Sequence, residues 1–363
     1  MMREKRGVTD AKGHNTSEGY LRYSRKKRLF LGALAASLFL LSLITIKLGS
    51  TDLSFSEIIR YIFDPDDSWN SKVVWDLRLK MVVAAILAGS ALGIAGCVMQ
   101  SILRNPLASP LTLGLSNAAA FGASLGILFL QGGLIVGSTA AYVTISNPLM
   151  VTVLAFAFAM TATGIMILLV KVTECTPETI VLAGLAISSI FSAGLAFLQY
   201  IADDVALSAI VFWQFGSLSK VSWDNLYIVA AVLFAAAVYF FYKRWDYNAM
   251  EAGDDIASGL GVNMKATRYV GLTMATALTA VVVSFMGIIG FIGLIGPHIV
   301  KKVIGNDNRY VLIGSMLVGS LVLLVAYVIG TYAFYTVIPV GIITSAIGGP
   351  LFIFILLRGR RRR

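Results

Sequence analysis

Stretches of about 18–25 mostly apolar residues recur along nearly all of this 363-residue chain, each long enough to cross a ~30 Å hydrocarbon core as a helix. Lipid offers the backbone no water to bond, so only helices and closed barrels can span it. Barrel strands would alternate in character over pieces of ~10 residues, and no such alternation is present. Composition agrees: 58% of residues are hydrophobic and 13% charged, where a soluble domain carries roughly a quarter charged residues. The expected fold class is all-α and polytopic, with membrane lipid as its solvent.

The apolar runs place about ten helices, near 29–47, 81–103, 111–131, 149–170, 178–200, 224–242, 268–289, 291–304, 310–330 and 342–357. With both termini in the cytoplasm, only Lys47, Arg60, Lys72, Arg78, Lys80 and Lys220 fall outside, which leaves 23 of the 29 Lys and Arg inside. The 19 acids divide almost evenly, nine of them outside. Cations set membrane orientation and acids hardly matter, so the net charge of +10 reads as a topology signal and no nucleic acid partner is expected. The eighth run is short. Were it not to cross, Lys301, Lys302 and the basic 358–363 end would lie outside, so it is kept as a crossing beside a water-filled funnel.

Residues 1–28 read as a loosely ordered basic cytoplasmic tail, 29–357 as the membrane domain and 358–363 as a basic cytoplasmic end. The first run is longer than a signal-peptide core and lacks a clear cleavage site, so it is expected to stay as a span. Cys97 falls in the second helix and Cys175 in a cytoplasmic loop, too far apart in environment for a disulfide. In the outer stretch 49–76, Leu53, Phe55, Ile58, Ile59 and Ile62 follow near-helical spacing after Ser54, which predicts a short amphipathic surface helix. A second outer stretch, 202–223, carries interfacial aromatics, and the inner connection 243–267 is too polar to insert.

Several patterns bear on function. Ala85, Gly89, Gly93 and Cys97 form a stripe of small side chains that lets another helix approach closely. After it, Gln100 to Pro110 includes Arg104, Asn105 and two prolines, Pro106 and Pro110, which must break the helix as a turn or as a gate. Gly287, Gly290, Gly293 and Gly296 followed by Pro297 mark a soft segment, either closely packed or lining a cavity. The only other histidine is His14, so His298 is expected to be a hydrogen-bonded structural residue, with no metal or cofactor site in this chain. In the inner loop Gly253, Ala257 and Gly261 would share one face of any helix, giving either a small-residue knob for a partner's cleft or an ordinary loop. Apart from Glu178 and Asp224 at the ends of two runs, no acid lies inside a span, which argues against an ion-coupled carrier. The chain contains no Gly-Lys pair, hence no phosphate-binding loop, and is not expected to be an enzyme.

Five blocks carry a resemblance to a known family: Arg78-Leu79 with Gln100-x3-Arg104-Asn105-Pro106-Leu107-Ala108, Trp213-x2-Gly216-Ser217-Leu218, Gly253-x3-Ala257-x2-Leu260-Gly261-Val262, Gly290-Phe291-Ile292-Gly293-Leu294-Ile295-x-Pro297-His298-Ile299, and Pro339-Val340-Gly341 through Pro350. In this order they resemble the FecCD permease family, the membrane subunits of type II ABC importers for iron-siderophores, haem and cobalamin. The resemblance implies ten helices in the inner membrane and a second permease subunit, identical or paralogous, across a central pathway. It also implies two cytoplasmic ATPase subunits and an external substrate-binding protein. Within the 247–265 loop, Gly253, Ala257, Leu260 and Gly261 would seat in the ATPase. Arg78 would dock the binding protein, helped by Lys80, although the family's Arg-Leu-Pro-Arg is here Arg78-Leu79-Lys80-Met81. The fifth and tenth helices and residues 207–218 would line the pathway, with Arg104, Asn105, Pro106, Trp213, Gly293 and Pro297 as gate or pathway candidates. A glutamate common before the last block is replaced by Val337-Ile338. The expected cargo is an iron(III)-siderophore, with haem or cobalamin as the alternative within the architecture.

Overall fold

The structure, a computed structural model, describes residues 16–49, 51–129, 133–136, 142–145, 147–172 and 177–360. Cys175 lies outside them. In chain order the helices are α1 (Thr16–Lys47), α2 (Phe55–Phe63), α3 (Trp69–Lys72), α4 (Lys80–Ile102), α5 (Leu115–Phe129), α6 (Pro148–Val172), α7 (Pro177–Ile201) and α8 (Asp204–Gln214). They continue as α9 (Trp223–Tyr242), α10 (Arg244–Ala252), α11 (Asp254–Gly259), α12 (Met264–Met286), α13 (Ile292–Ile304), α14 (Asn308–Tyr332) and α15 (Val340–Arg360). Each of the ten expected spans coincides with one of these: α1, α4, α5, α6, α7, α9, α12, α13, α14 and α15. Among the described residues, seven helical segments are long and apolar enough to cross a membrane unaided. At 13 residues, α13 reaches only about 20 Å.

The bundle is built around α4, whose flanks meet α14, α12 and α13. Glycine makes this approach possible. A Cβ on Gly89 would fall 2.5 Å from the Gly319 carbonyl oxygen, and one on Gly93 would strike the Ser315 carbonyl. Gly96 meets Gly293 in the same way. The small stripe therefore packs as expected, and Gly96, one residue off the stripe, adds a second contact with α13. Ser90 and Ser320 hydroxyls lie 2.9 Å apart within this seam, and Ser320 donates to the Ile86 carbonyl at 2.8 Å. These two enclosed hydroxyls find partners across the helix pair.

Three features differ from the sequence expectation. First, α1 begins at Thr16, well inside the segment read as a tail. Lys27, 2% exposed, holds this extension: its ammonium lies 4.1 Å from the Tyr23 ring centroid, 5.0 Å from that of Tyr310 and 3.4 Å from the Asp307 carboxylate. Second, the outer stretch 202–223 contains a helix, α8, capped by the Asp203 carboxylate on the Ala206 N–H at 2.7 Å. Third, Gly133–Val136 and Tyr142–Ile145 pair as a two-stranded antiparallel ribbon between α5 and α6. The surface helix α2 forms as expected. Ser54 and Glu57 build a capping box, with Leu53 and Ile58 buried at the staple positions on either side.

The seam makes a sharp forecast. Gly93→Val forces α4 and α14 apart, with an overpacking cost of about 1–3 kcal/mol or more, and the protein fails to accumulate as a monodisperse species. Gly164, with nothing within 4 Å of a new Cβ, accepts Ala and gains up to ~1 kcal/mol of helix propensity. Detergent-solubilised yield and thermal midpoint of the two variants check the contrast.

Candidate functional site

The break after α4 is a helix C-terminal motif. The Asn105 N–H reaches back to the Gln100 carbonyl at 3.2 Å, while Arg104 takes a left-handed backbone with φ 45°. Glycine normally fills such a position because a Cβ is strained there. Asn105 then turns the chain by accepting from the Leu107 N–H at 2.9 Å, with Pro106 between them. Arg104 and Pro106 thus lie together on the inner face. Arg104 Nη1 is 3.9 Å from Asp254 Oδ1. Asp254 also takes both oxygens' worth of Arg268 Nη2, at 2.9 Å each, and Arg268 is almost fully buried. Neither Asp254 nor Arg268 stood out in the sequence, since an acid in a polar loop and a cation at a helix start are both ordinary.

The same carboxylate begins α11, so the inner loop is fastened where its exposed part starts. Here the structure corrects the small-face expectation. Gly253 is the kink between α10 and α11, with φ 133°, and Gly261 lies beyond α11, with φ 79°; the three small residues share no helical face. Ala257 is fully buried against the protein itself. Beside Asp255 and Ser258, the exposed residues here include two large apolar ones: Ile256 in α11 is 53% exposed and Leu260, just past it, is 70% exposed.

Behind this knob, α10 is tied into the bundle. Glu251 accepts from Lys301 Nζ at 2.6 Å and from Ser101 Oγ at 2.7 Å, joining α10 to α13 and α4. Asn248 accepts from the Asn308 N–H at 2.7 Å, joining α10 to the start of α14. Pro297, inside α13, has no N–H to give the Gly293 carbonyl. Gln100 Nε2 stands 3.5 Å from that oxygen and 3.5 Å from that of Leu294. Gly293 and Pro297 are therefore elements of close packing between α4 and α13. His298 is half-buried, and its ring makes no hydrogen bond among the described residues, contrary to the expectation for it.

Toward the outer side three of the sequence blocks meet where helices α8, α12 and α15 begin or end. The Ser217 N–H donates to the Met286 carbonyl at 2.8 Å, and the Gly341 N–H donates to the Gly216 carbonyl at 2.9 Å. Phe215 and Ile288 pair as a parallel bridge. A Cβ on Gly341 would lie 2.5 Å from the Ile288 oxygen, and one on Gly287 would lie 2.5 Å from the Trp213 oxygen. Lys220 secures the crossing: its ammonium donates to the carbonyls of Phe212, Trp213 and Phe215 at 3.0, 3.0 and 2.9 Å. Burial pulls its pKa down to about 8, which leaves it charged at neutral pH. Trp213 itself is buried in the core cluster that includes Ala209, Ile210 and Ala280. Phe212 and Phe215, an edge-on pair 6.3 Å apart, are the exposed aromatics of this segment.

Arg78 also serves the fold. Its side chain is 4% exposed, and its guanidinium donates to the Ile46 carbonyl at 3.0 Å, to that of Lys47 at 3.3 Å and to that of Thr51. It closes the end of α1 from a π-helical turn, Val73–Leu79. Lys80 is half-buried at the start of α4.

The chain is a helical membrane bundle with a broken, glycine-packed centre, and comparison with known proteins gives its class. The FecCD transport family matches residues 36–358. An assigned ABC transporter permease of Methanocaldococcus jannaschii is 43% identical over 345 residues, covering 94% of this chain and 98% of its own. The hemin transport system permease of Yersinia pestis is 32% identical over 338 residues, covering 93% and 97%. A solved metal-chelate type ABC transporter in an inward-facing conformation superposes with a TM-score of 0.78 at 26% identity, covering 91% of this chain and 99% of its own. The chain belongs to the FecCD transport family and is a multi-pass permease of an ABC importer.

Two substitutions test the site. Arg104→Gly relieves the left-handed strain, so stability holds or rises by up to ~1 kcal/mol, while loss of the Asp254 contact lowers uptake. Lys220→Met leaves three carbonyls with one donor fewer each, at ~1–3 kcal/mol per unsatisfied group, and lowers both thermal midpoint and uptake. Melting curves beside uptake assays in proteoliposomes check both.

Proposed function

We propose that this chain forms the translocation pathway of an ATP-driven importer for an iron(III)-siderophore in the cytoplasmic membrane, paired with a second permease subunit. The observation that carries the coupling part is the α11 knob: Ile256 and Leu260 stand exposed on an inner-face element anchored through Asp254 and Glu251. Exposed apolar residues at helical spacing on a polar loop suit a groove on another protein. That protein is a cytoplasmic ATPase, one for each permease, since this chain has no phosphate loop of its own. Leu260, Gly253 and Gly261 keep the coupling role on this reading, Leu260 by contact and the two glycines by shaping the turns around α11. Ala257 supports α11 from inside. An external binding protein would deliver the cargo, and the pathway would run past α7, α8 and α15. The hemin and metal-chelate relatives support a chelated metal as cargo, and haem or cobalamin is the second reading within the same architecture.

The test separates seating from folding. Ile256→Asp with Leu260→Asp leaves insertion and melting temperature unchanged, because both side chains are exposed. The pair abolishes co-purification of the ATPase and ATP-dependent uptake. Ala257→Trp, by contrast, overfills a closed site and lowers stability by about 1–3 kcal/mol. Retained ATPase and full uptake of the iron(III)-siderophore by the double variant would overturn the coupling assignment. Iron-siderophore uptake without any ATPase would overturn the importer reading.

A further inference from the structure

One side of α1 faces away from the bundle along the length of the helix. Leu29, Phe39, Leu40, Leu43 and Ile44 are exposed, and at about 100° per residue they share an arc of about 140°. From Leu29 to Lys47 the helix rises about 27 Å, close to the ~30 Å of a hydrocarbon core. The two ends of this stretch therefore stand at the two headgroup layers.

The cations at these ends differ in what they meet. Lys47 pairs with Asp52 at 2.9 Å. At the other end Lys27 lies on the opposite side of the helix, among Tyr23, Tyr310 and Asp307. The Ser24 and Tyr310 hydroxyls, 2.8 Å apart, fasten the same turn to α14. With Lys27 held there, Arg25, Lys26 and Arg28 fall within about 20° of the lipid-facing arc. All three are exposed, and none makes an ion pair or hydrogen bond among the described residues. Along the axis they lie no more than about 6 Å beyond Leu29, within an interfacial layer roughly 5–7 Å deep. The other exposed, unpaired cations on the inner side, Lys171, Lys265 and Lys302, stand singly among the described residues. A phosphodiester suits the cluster, since it carries one negative charge and oxygens that a guanidinium can grip in pairs. Each cation at this level raises affinity for anionic lipid roughly fivefold.

We propose that Arg25, Lys26 and Arg28 bind the phosphate of an anionic phospholipid whose chains lie along the exposed row of α1. A topology signal draws on every cation near a span. This site draws on three, which the docking of Lys27 turns toward the lipid. It holds whatever cargo the chain carries.

The experiment uses the full chain, with the subunits that co-purify, in a detergent of neutral headgroup. Phosphatidylglycerol and phosphatidylcholine of the same acyl chains are the probes. Phosphatidylglycerol raises the thermal midpoint, and when the two are offered together it is retained about tenfold or more over phosphatidylcholine. Arg25→Gln, Lys26→Gln and Arg28→Gln together remove both effects and leave the midpoint in phosphatidylcholine unmoved, since the three side chains are exposed. Arg3→Gln, Lys5→Gln and Arg6→Gln take the same charge from the segment before α1 and leave both effects intact. Should the first triple variant melt early even in phosphatidylcholine, Lys26→Gln alone decides: a loss of preference of about fivefold supports the site, and no loss overturns it. Equal losses in the two triple variants would show diffuse attraction to basic residues and overturn the site, as would full preference in the first. Inorganic phosphate that raises the midpoint as far as phosphatidylglycerol does, and displaces it, would make the ligand a soluble anion and overturn the lipid assignment.

Discussion

The contact on which the rest depends is the one between α4 and its neighbours α14 and α13, where main chain meets main chain. Lipid supplies no hydrophobic drive for helices to associate, so close fit and dispersion must do it. Gly89, Gly93 and Gly96 on one side, and Gly319, Ser315 and Gly293 on the other, remove the side chains that would hold the helices apart. With α4 so enclosed, its ends are fixed in place. The inner end can then be broken at Leu103 and turned by Arg104 without unravelling, and the outer end can begin in a π-helical turn that carries Arg78.

Every broken helix leaves carbonyls without N–H partners, and close to lipid these cannot be left to water. The chain answers with side chains placed at a distance in sequence. Arg78 closes the end of α1, Lys220 closes the end of α8, and the Gln100 amide faces the carbonyl that Pro297 cannot serve. Conspicuous polar residues in these segments are thereby engaged with the main chain of this protein. A guanidinium with three carbonyl contacts would lose them by swinging outward.

The positions of the spans were legible because they follow from length and hydropathy, each a sum over many residues. The capping box before α2 was legible for a different reason: Ser54 and Glu57 stand at a spacing that has one geometric meaning. Side-chain direction was not legible. An alanine in a polar loop reads equally as a contact face or as packing, and Ala257 proved to be packing. Trp213 sits among aromatics that suit an interface, yet it points inward while Phe212 and Phe215 on either side do not. The tie between Glu251 and Lys301 spans 50 residues and depends on how α10 folds back under the bundle, which no local pattern encodes. The helical start of α1 at Thr16 depends likewise on Tyr310 and Asp307, far along the chain.

The shortest crossing, α13, gains its meaning from what holds its two ends. At the inner end Lys301 is bound to Glu251 on α10, one kink away from the exposed knob. At the outer end the chain leaves α12 through Gly287 and enters α13 through Phe291, whose left-handed φ of 66° is strained for a residue with a side chain. The Phe291 ring is where a Cβ on Gly348 of α15 would fall, 2.5 Å or less from its nearest atoms, so α13 and α15 touch at this break. Between these ends α13 packs against Gly96 and Gly93, with Pro297 removing one backbone bond within it. Over about 20 Å, α13 thus joins the Lys301–Glu251 tie at one end to the break beside α15 at the other. The strain at Phe291 and Arg104 falls at the two ends of this connection, where a change of backbone angle would alter the relation of one face to the other.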